Sequence, residues 1–227
     1  MIWPMHSSIP TQPPVTHLLY LHGFRSSPQS AKARTMAQLM ATRYPQVQWW
    51  CPQLPPSPKD AMSLVMQGIA GWPHESMAVV GSSLGGFYAT AVAELTGCKA
   101  VLLNPAVNPA RDLAKYIGEQ TSWHDPLERF FFRPEFVQEL HDLTRATLKQ
   151  PANYLAVIAK GDEVLNWREM NARYEGAHLR LLEGGDHALS DFETHLPAVL
   201  AFLGLDPIRL SAPIPSGKLT ALPRLCP

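Results

Sequence analysis

At 227 residues and 25.2 kDa the chain can form one large domain or two small ones, and 46% hydrophobic against 17% charged residues supports a sizeable core and excludes disorder throughout. Nineteen Lys and Arg balance nineteen Asp and Glu. With no net charge there is no electrostatic footprint for nucleic acid or an anionic membrane, and a small neutral partner fits better.

The cysteines Cys51, Cys98 and Cys226 fall in no C-x-x-C or zinc-ligand spacing. That argues against a disulfide framework and a structural metal, and makes a reducing cytoplasm the expected compartment. The opening MIWPMHSSIPTQPPV has neither a basic n-region nor an apolar h-region, and no apolar run approaches the roughly 20 residues that span a bilayer. Neither export nor membrane insertion is expected.

Residues 1–16 and 206–227 are rich in proline and read as extended, mobile tails around a domain over 17–205. Within that domain, LLYL (18–21), VQWW (47–50), MAVV (77–80), AVLL (100–103), YLAVIA (154–159) and LRLL (179–182) read as strands. Most are continuously apolar, as parallel strands covered on both faces are. Between them AKARTMAQLMATRY (31–44), AMSLVMQGIAG (61–71) and FYATAVAELTG (87–97) carry apolar residues at helical spacing. Repeated strand-helix-strand units predict an open, mostly parallel sheet of about six strands between helical layers, with ligands at the carboxyl ends of the strands. The stretch 108–150 breaks this rhythm. Its aromatic residues, among them Tyr116, Trp123, Phe130, Phe131, Phe132 and Phe136, suit either a small helical lid over a substrate or an insertion buried against the sheet edge.

The sharpest motif is Gly81-Ser82-Ser83-Leu84-Gly85, a G-x-S-x-G placed between a predicted strand and a predicted helix. In that context the central serine occupies a strained turn, and only small residues at Gly81 and Gly85 leave room for it. Ser83 is therefore the candidate nucleophile, at a helix N-terminus that favours charge developing on a substrate oxygen. A serine needs a base, and the base an orienting acid, which follow in the order acid then histidine in proteins with this turn. Asp162, in the turn after YLAVIA, and His187, in the turn after LRLL, fit that order and the same rim of the sheet. Glu163 is a weaker candidate acid, Asp186 a turn former, and His141, His178 and His195 read as packed or solvated. For the oxyanion the backbone N–H groups of Phe24 and Leu84 are the expected donors, with Gly23 allowing close approach and His22 bracing the loop. No cofactor and no metal are expected, because no H-E-x-x-H or Cys/His pair occurs.

Taken in order, LLYLHGFRSSPQSAKA, WCPQLPPSP, VVGSSLGGFYATA, LLNPAVNP, KGDEVL and EGGDHAL resemble the YqiA-type esterases, the UPF0227 family of small bacterial proteins, over residues 17 to about 205. The resemblance implies an α/β-hydrolase fold and hydrolysis of carboxylic esters or thioesters. Its triad falls on Ser83, Asp162 and His187. Leu189 stands where the family often has an aromatic residue. The expected activity is that of a serine esterase on small to medium acyl groups. The alternatives are an acyl-CoA thioesterase and, from another class, a non-catalytic binding protein on a hydrolase fold. The oligomeric state is left open.

Overall fold

The structure is a computed structural model that describes residues 14–205 apart from His124 and Pro126. Both expected tails, apart from residues 14–16, and Cys226 lie outside the described residues.

Among the described residues fifteen strands and α-helices are arranged in the order β1 (His17–Leu21), α1 (Ala31–Arg43), β2 (Gln48–Trp50), α2 (Pro58–Gly68), β3 (Met77–Ser82), α3 (Leu84–Thr96), β4 (Lys99–Leu103), α4 (Pro109–Leu113), β5 (Gly118–Thr121), β6 (Arg129–Phe132), α5 (Pro134–Leu143), β7 (Tyr154–Ala159), α6 (Trp167–Arg173), β8 (His178–Leu182) and α7 (Phe192–Leu203). Six strands form one sheet in the order β2-β1-β3-β4-β7-β8, and every neighbouring pair is parallel. β3 and β7 are buried at every residue, which explains their unbroken apolar runs.

Alternate residues of each strand feed two cores. Leu18, Tyr20, Ala78 and Val80 pack under α1 and α7, whereas Leu19, Leu21, Met77 and Val79 pack under α2, α3, α5 and α6. The result is three layers, helix on sheet on helix. α1 buries Ala33, Met36, Leu39 and Met40 at helical spacing and stops at Tyr44, whose place before Pro45 disfavours the helical region. α2 begins three residues earlier than its apolar periodicity predicts, at Pro58. Ser57 caps it by accepting from the Asp60 N–H at 3.1 Å, and proline at the first helical position suits an N–H that would have no partner.

The chain runs outward from β1 to β2, returns across β1 to β3, and then proceeds through β4 and β7 to β8. The reversal makes β1 and β3 the switch point of the sheet, where a crevice opens beyond the carboxyl ends. The turns after Leu21 and Ser82 meet there.

Of the two readings of 108–150, a small helical lid or an insertion buried against the sheet edge, neither includes a strand, and the segment is not helical throughout. It places an antiparallel hairpin, β5 with β6, between α4 and α5. The physical reason is a period of two: Phe131 is 58% exposed, while Phe132 is 1% exposed and meets the Phe24 ring edge-on at 5.3 Å. The aromatic rings thus divide between burial and exposure.

Among the described residues no helix is long and apolar enough to cross a membrane.

Candidate active site

Ser83 sits between the last residue of β3 and the first of α3 with φ 56 and ψ −120, a backbone conformation that costs a non-glycine residue of order 1–3 kcal/mol. The surroundings hold it there. Its N–H donates to the Leu103 carbonyl at 3.0 Å, and its own carbonyl accepts from Gly86 at 2.9 Å and from Ala106 at 3.0 Å. The turn also needs its glycines. A methyl group on Gly81 would come within 2.2 Å of the Gly85 carbonyl oxygen, and one on Gly85 within 2.0 Å of the Leu21 carbonyl oxygen. α3 can therefore lie directly over the ends of β1 and β3.

The two partners expected from the sequence arrive at the same point. The His187 ring faces Ser83, with Nε2 3.0 Å from Oγ, and its Nδ1 lies 2.7 Å from Asp162 Oδ2. The Asp162 side chain is wholly buried and that of His187 is 20% exposed. The other Asp162 oxygen, Oδ1, accepts from the Val164 and Leu165 N–H groups at 2.8 Å each. With Oδ1 committed to two donors, Oδ2 is left to accept from Nδ1–H. That tautomer turns the Nε2 lone pair toward the serine hydroxyl.

Neighbouring acids have other tasks. Glu163 Oε2 accepts from the His187 backbone N–H at 3.0 Å and so steadies the loop rather than the ring. Asp186 accepts from the Ser190 N–H and hydroxyl, which hold its carboxyl below the usual carboxylate range. His141 is exposed on α5, His178 opens β8 against Phe202, and His195 lies 3.2 Å from Asp191 on α7. None of these three is drawn to Ser83.

The turn after β1 closes the site. A Cβ built on Gly23 would stand 3.2 Å from the Ser83 Cβ, so the backbone of this turn passes directly beside the serine. Phe24 follows it, and Leu84 opens α3, where the first N–H groups have no acceptor within the helix. His22 accepts from the Leu54 N–H on Nε2 at 3.1 Å and donates from Nδ1 to the Gly23 carbonyl at 3.0 Å, which braces this turn against the segment after β2.

One residue was not singled out in the sequence. Asn104, fully buried with φ 42, donates from its amide to the Asp186 and His187 carbonyls at 2.9 and 3.2 Å and accepts from the Ala159 N–H at 2.8 Å. It ties the ends of β4 and β7 to the histidine loop. Its signal was present in LLNPAVNP, where a polar residue ends an apolar strand just before a proline. From α1, the Lys32 ammonium donates to the Ala188 carbonyl of the same loop, and burial holds its pKa below the usual lysine value.

Among the described residues no group of three or more His, Cys, Asp or Glu is placed to hold a metal ion.

Solved structures share the architecture. A protein of Agrobacterium vitis S4 superposes with a TM-score of 0.66 at 17% identity, covering 82% of this chain and 87% of that one. Mouse alpha/beta hydrolase domain-containing protein 10 gives 0.60 at 14% identity over 82% and 90%. Est1E of Butyrivibrio proteoclasticus, solved with ferulic acid bound, gives 0.59 at 13% identity over 84% and 87%. At such identities the likeness establishes the α/β-hydrolase fold. The sequence itself matches the model of the Uncharacterised protein family (UPF0227) over residues 17–204. The chain belongs to the UPF0227 family.

Proposed function

We propose that the protein is a serine hydrolase of carboxylic esters. The observation that carries this reading is the unbroken hydrogen-bonded chain from Asp162 through His187 to Ser83 Oγ, at 2.7 and 3.0 Å, in a cleft at the switch point of the sheet. Ser83 Oγ attacks the ester carbonyl and its proton passes to His187 Nε2, while buried Asp162 stabilises the imidazolium. The oxyanion of the tetrahedral intermediate rests on the Phe24 and Leu84 N–H groups. As the C–O bond to the alcohol breaks, Nε2 returns the proton to the departing oxygen. Water then attacks the acyl-enzyme, again giving its proton to His187, and the free acid leaves as Ser83 recovers its hydrogen. No cofactor takes part in this cycle.

The test is hydrolysis of p-nitrophenyl esters, with labelling by a fluorophosphonate probe. The wild type should turn over and label once per chain at Ser83. Ser83→Ala should lower kcat on the order of 10⁶-fold and abolish labelling. An inert, unlabelled wild type would leave a binding protein on a hydrolase fold.

A further inference from the structure

The turn that carries Phe24 is bent at a residue type that resists it. The Ser26 N–H donates to the Gly23 carbonyl at 3.2 Å and closes a four-residue turn whose third residue, Arg25, has φ 59. Such turns ordinarily place glycine there, because a Cβ crowds the backbone in the left-handed region. An arginine stays in that conformation only where neighbours hold it.

The neighbours belong to the hairpin. Arg25 Nε donates at 2.7 Å to the carbonyl of Thr121, the last residue of β5. The Trp123 N–H donates to the Arg25 carbonyl at 2.8 Å, and the guanidinium lies 4.2 Å from the centre of the Trp123 ring. The side chain, the carbonyl and the charge of one residue are all engaged by a segment 96 positions further along the chain.

We propose that Arg25 is a positioning residue, latching the turn after β1 to the β5–β6 hairpin so that the Phe24 N–H stays turned to the oxyanion. The proposal rests on the ester-hydrolase reading above, in which that N–H is a donor. Its physical core is one planar peptide. The Phe24 N–H belongs to the same trans unit as the Gly23 carbonyl and points the opposite way, so whatever holds the carbonyl aims the N–H. His22 Nδ1 and the Ser26 N–H hold it, at 3.0 and 3.2 Å. If Arg25 relaxed to negative φ, either the Ser26 N–H would swing away from the Gly23 carbonyl or the Phe24-Arg25 peptide would turn over, as it does between type II and type I turns. In both cases the backbone that fixes the donor moves. The hairpin supplies the hold that the backbone of a non-glycine residue lacks.

Two substitutions at one position test the latch. Arg25→Ala removes the side chain and leaves the left-handed φ strained, whereas Arg25→Gly removes the same groups but suits that φ. On p-nitrophenyl butyrate Arg25→Ala should lower kcat by about tenfold with KM little changed, because an oxyanion contact is made only in the transition state. Arg25→Gly should return kcat to within about threefold of the wild type. A trifluoromethyl ketone adds Ser83 Oγ at its carbonyl carbon, the serine proton passing to His187, and carries the resulting oxyanion. Its inhibition should weaken in step with kcat. Trp123 is 68% exposed, so Trp123→Ala cannot open the core. It should lower kcat by a smaller factor and add nothing to Arg25→Ala in the double variant. Trp123 also borders the cleft of Ser83, so any contact of its own with substrate is read in KM.

Equal losses for Arg25→Ala and Arg25→Gly would overturn the positioning role, since the guanidinium would then act by itself. So would a raised KM with kcat kept, losses that multiply in the double variant, or a wild-type kcat in Arg25→Ala. In all of those cases Ser83-dependent hydrolysis persists. A wild type inert on p-nitrophenyl esters would remove the ester-hydrolase reading, and the latch with it.

Discussion

The amide of Asn104 donates to the carbonyl of His187 at 3.2 Å across 83 positions of the chain. The same side chain bonds Asp186 and Ala159, so it holds the histidine loop against the strand that leads to Asp162. Asn104→Ala leaves the Ala159 N–H without its acceptor and should destabilise the fold by about 2–4 kcal/mol, read from denaturant unfolding. Asn104→Asp keeps that acceptor and turns a carboxylate oxygen toward two carbonyls. It should remain folded, with kcat lowered by about 10- to 100-fold and KM little changed. A folded Asn104→Asp with wild-type kcat would remove the positioning role.

The two adjacent acids at 162 and 163 should separate sharply in kinetics. Asp162→Asn keeps the oxygen that accepts from Val164 and Leu165 but offers an amide to the imidazole. The wrong tautomer results, and kcat should fall by about 10⁴-fold. Glu163→Gln retains an oxygen for the His187 N–H and should cost less than about tenfold. Comparable losses for both would mean that Glu163 shares the role of orienting acid.

Gly85→Ala should be among the most damaging single substitutions in the chain. Its methyl would be driven against the Leu21 carbonyl at 2.0 Å, and backbone there cannot yield without parting α3 from β1. We expect a loss of more than about 4 kcal/mol, seen as a collapse of the thermal unfolding temperature or as insoluble protein.

The hairpin offers a paired comparison. Phe132→Ala removes a buried ring that meets Phe24 at 5.3 Å and Phe136 at 5.5 Å, and should cost about 3–5 kcal/mol. Phe131→Ala, one residue earlier and exposed, should stay within about 0.5 kcal/mol of the wild type. Equal effects would contradict the register of β5 with β6.

Burial pushes the Cys51 thiol up to about 12 and the Cys98 thiol up to about 11. Thiolate is the reactive form, so both should resist a disulfide exchange reagent at pH 8 in the native state and react on unfolding. In a Cys226→Ser background, native protein should show no rapidly reacting thiol. Prompt reaction of one thiol would mean that half-buried Cys51 ionises more readily than its surroundings imply.

Features that recur at short range were legible along the chain. A strand continuously apolar over six residues, as at Tyr154–Ala159, can be satisfied only between two helical layers, and Ser83 between two glycines after a strand can form only a tight elbow. The expectation of a common rim for Ser83, Asp162 and His187 followed from those local facts, whereas the strand order β2-β1-β3-β4-β7-β8 depends on which strands pair in space. The tertiary structure decided what depends on distant partners. Three phenylalanines in a row have no helical or strand period that short-range reasoning can choose, and it was Phe24, on the turn after β1, that selected the face on which Phe132 is buried. Asn104 offered only an apolar strand ending in a polar residue, because its three partners lie 55 to 83 positions away. Glu163 likewise took its task from the His187 backbone, 24 positions on. Hydrogen bonds of this kind are fixed by where strands end in space, and periodicity along a chain carries no record of that.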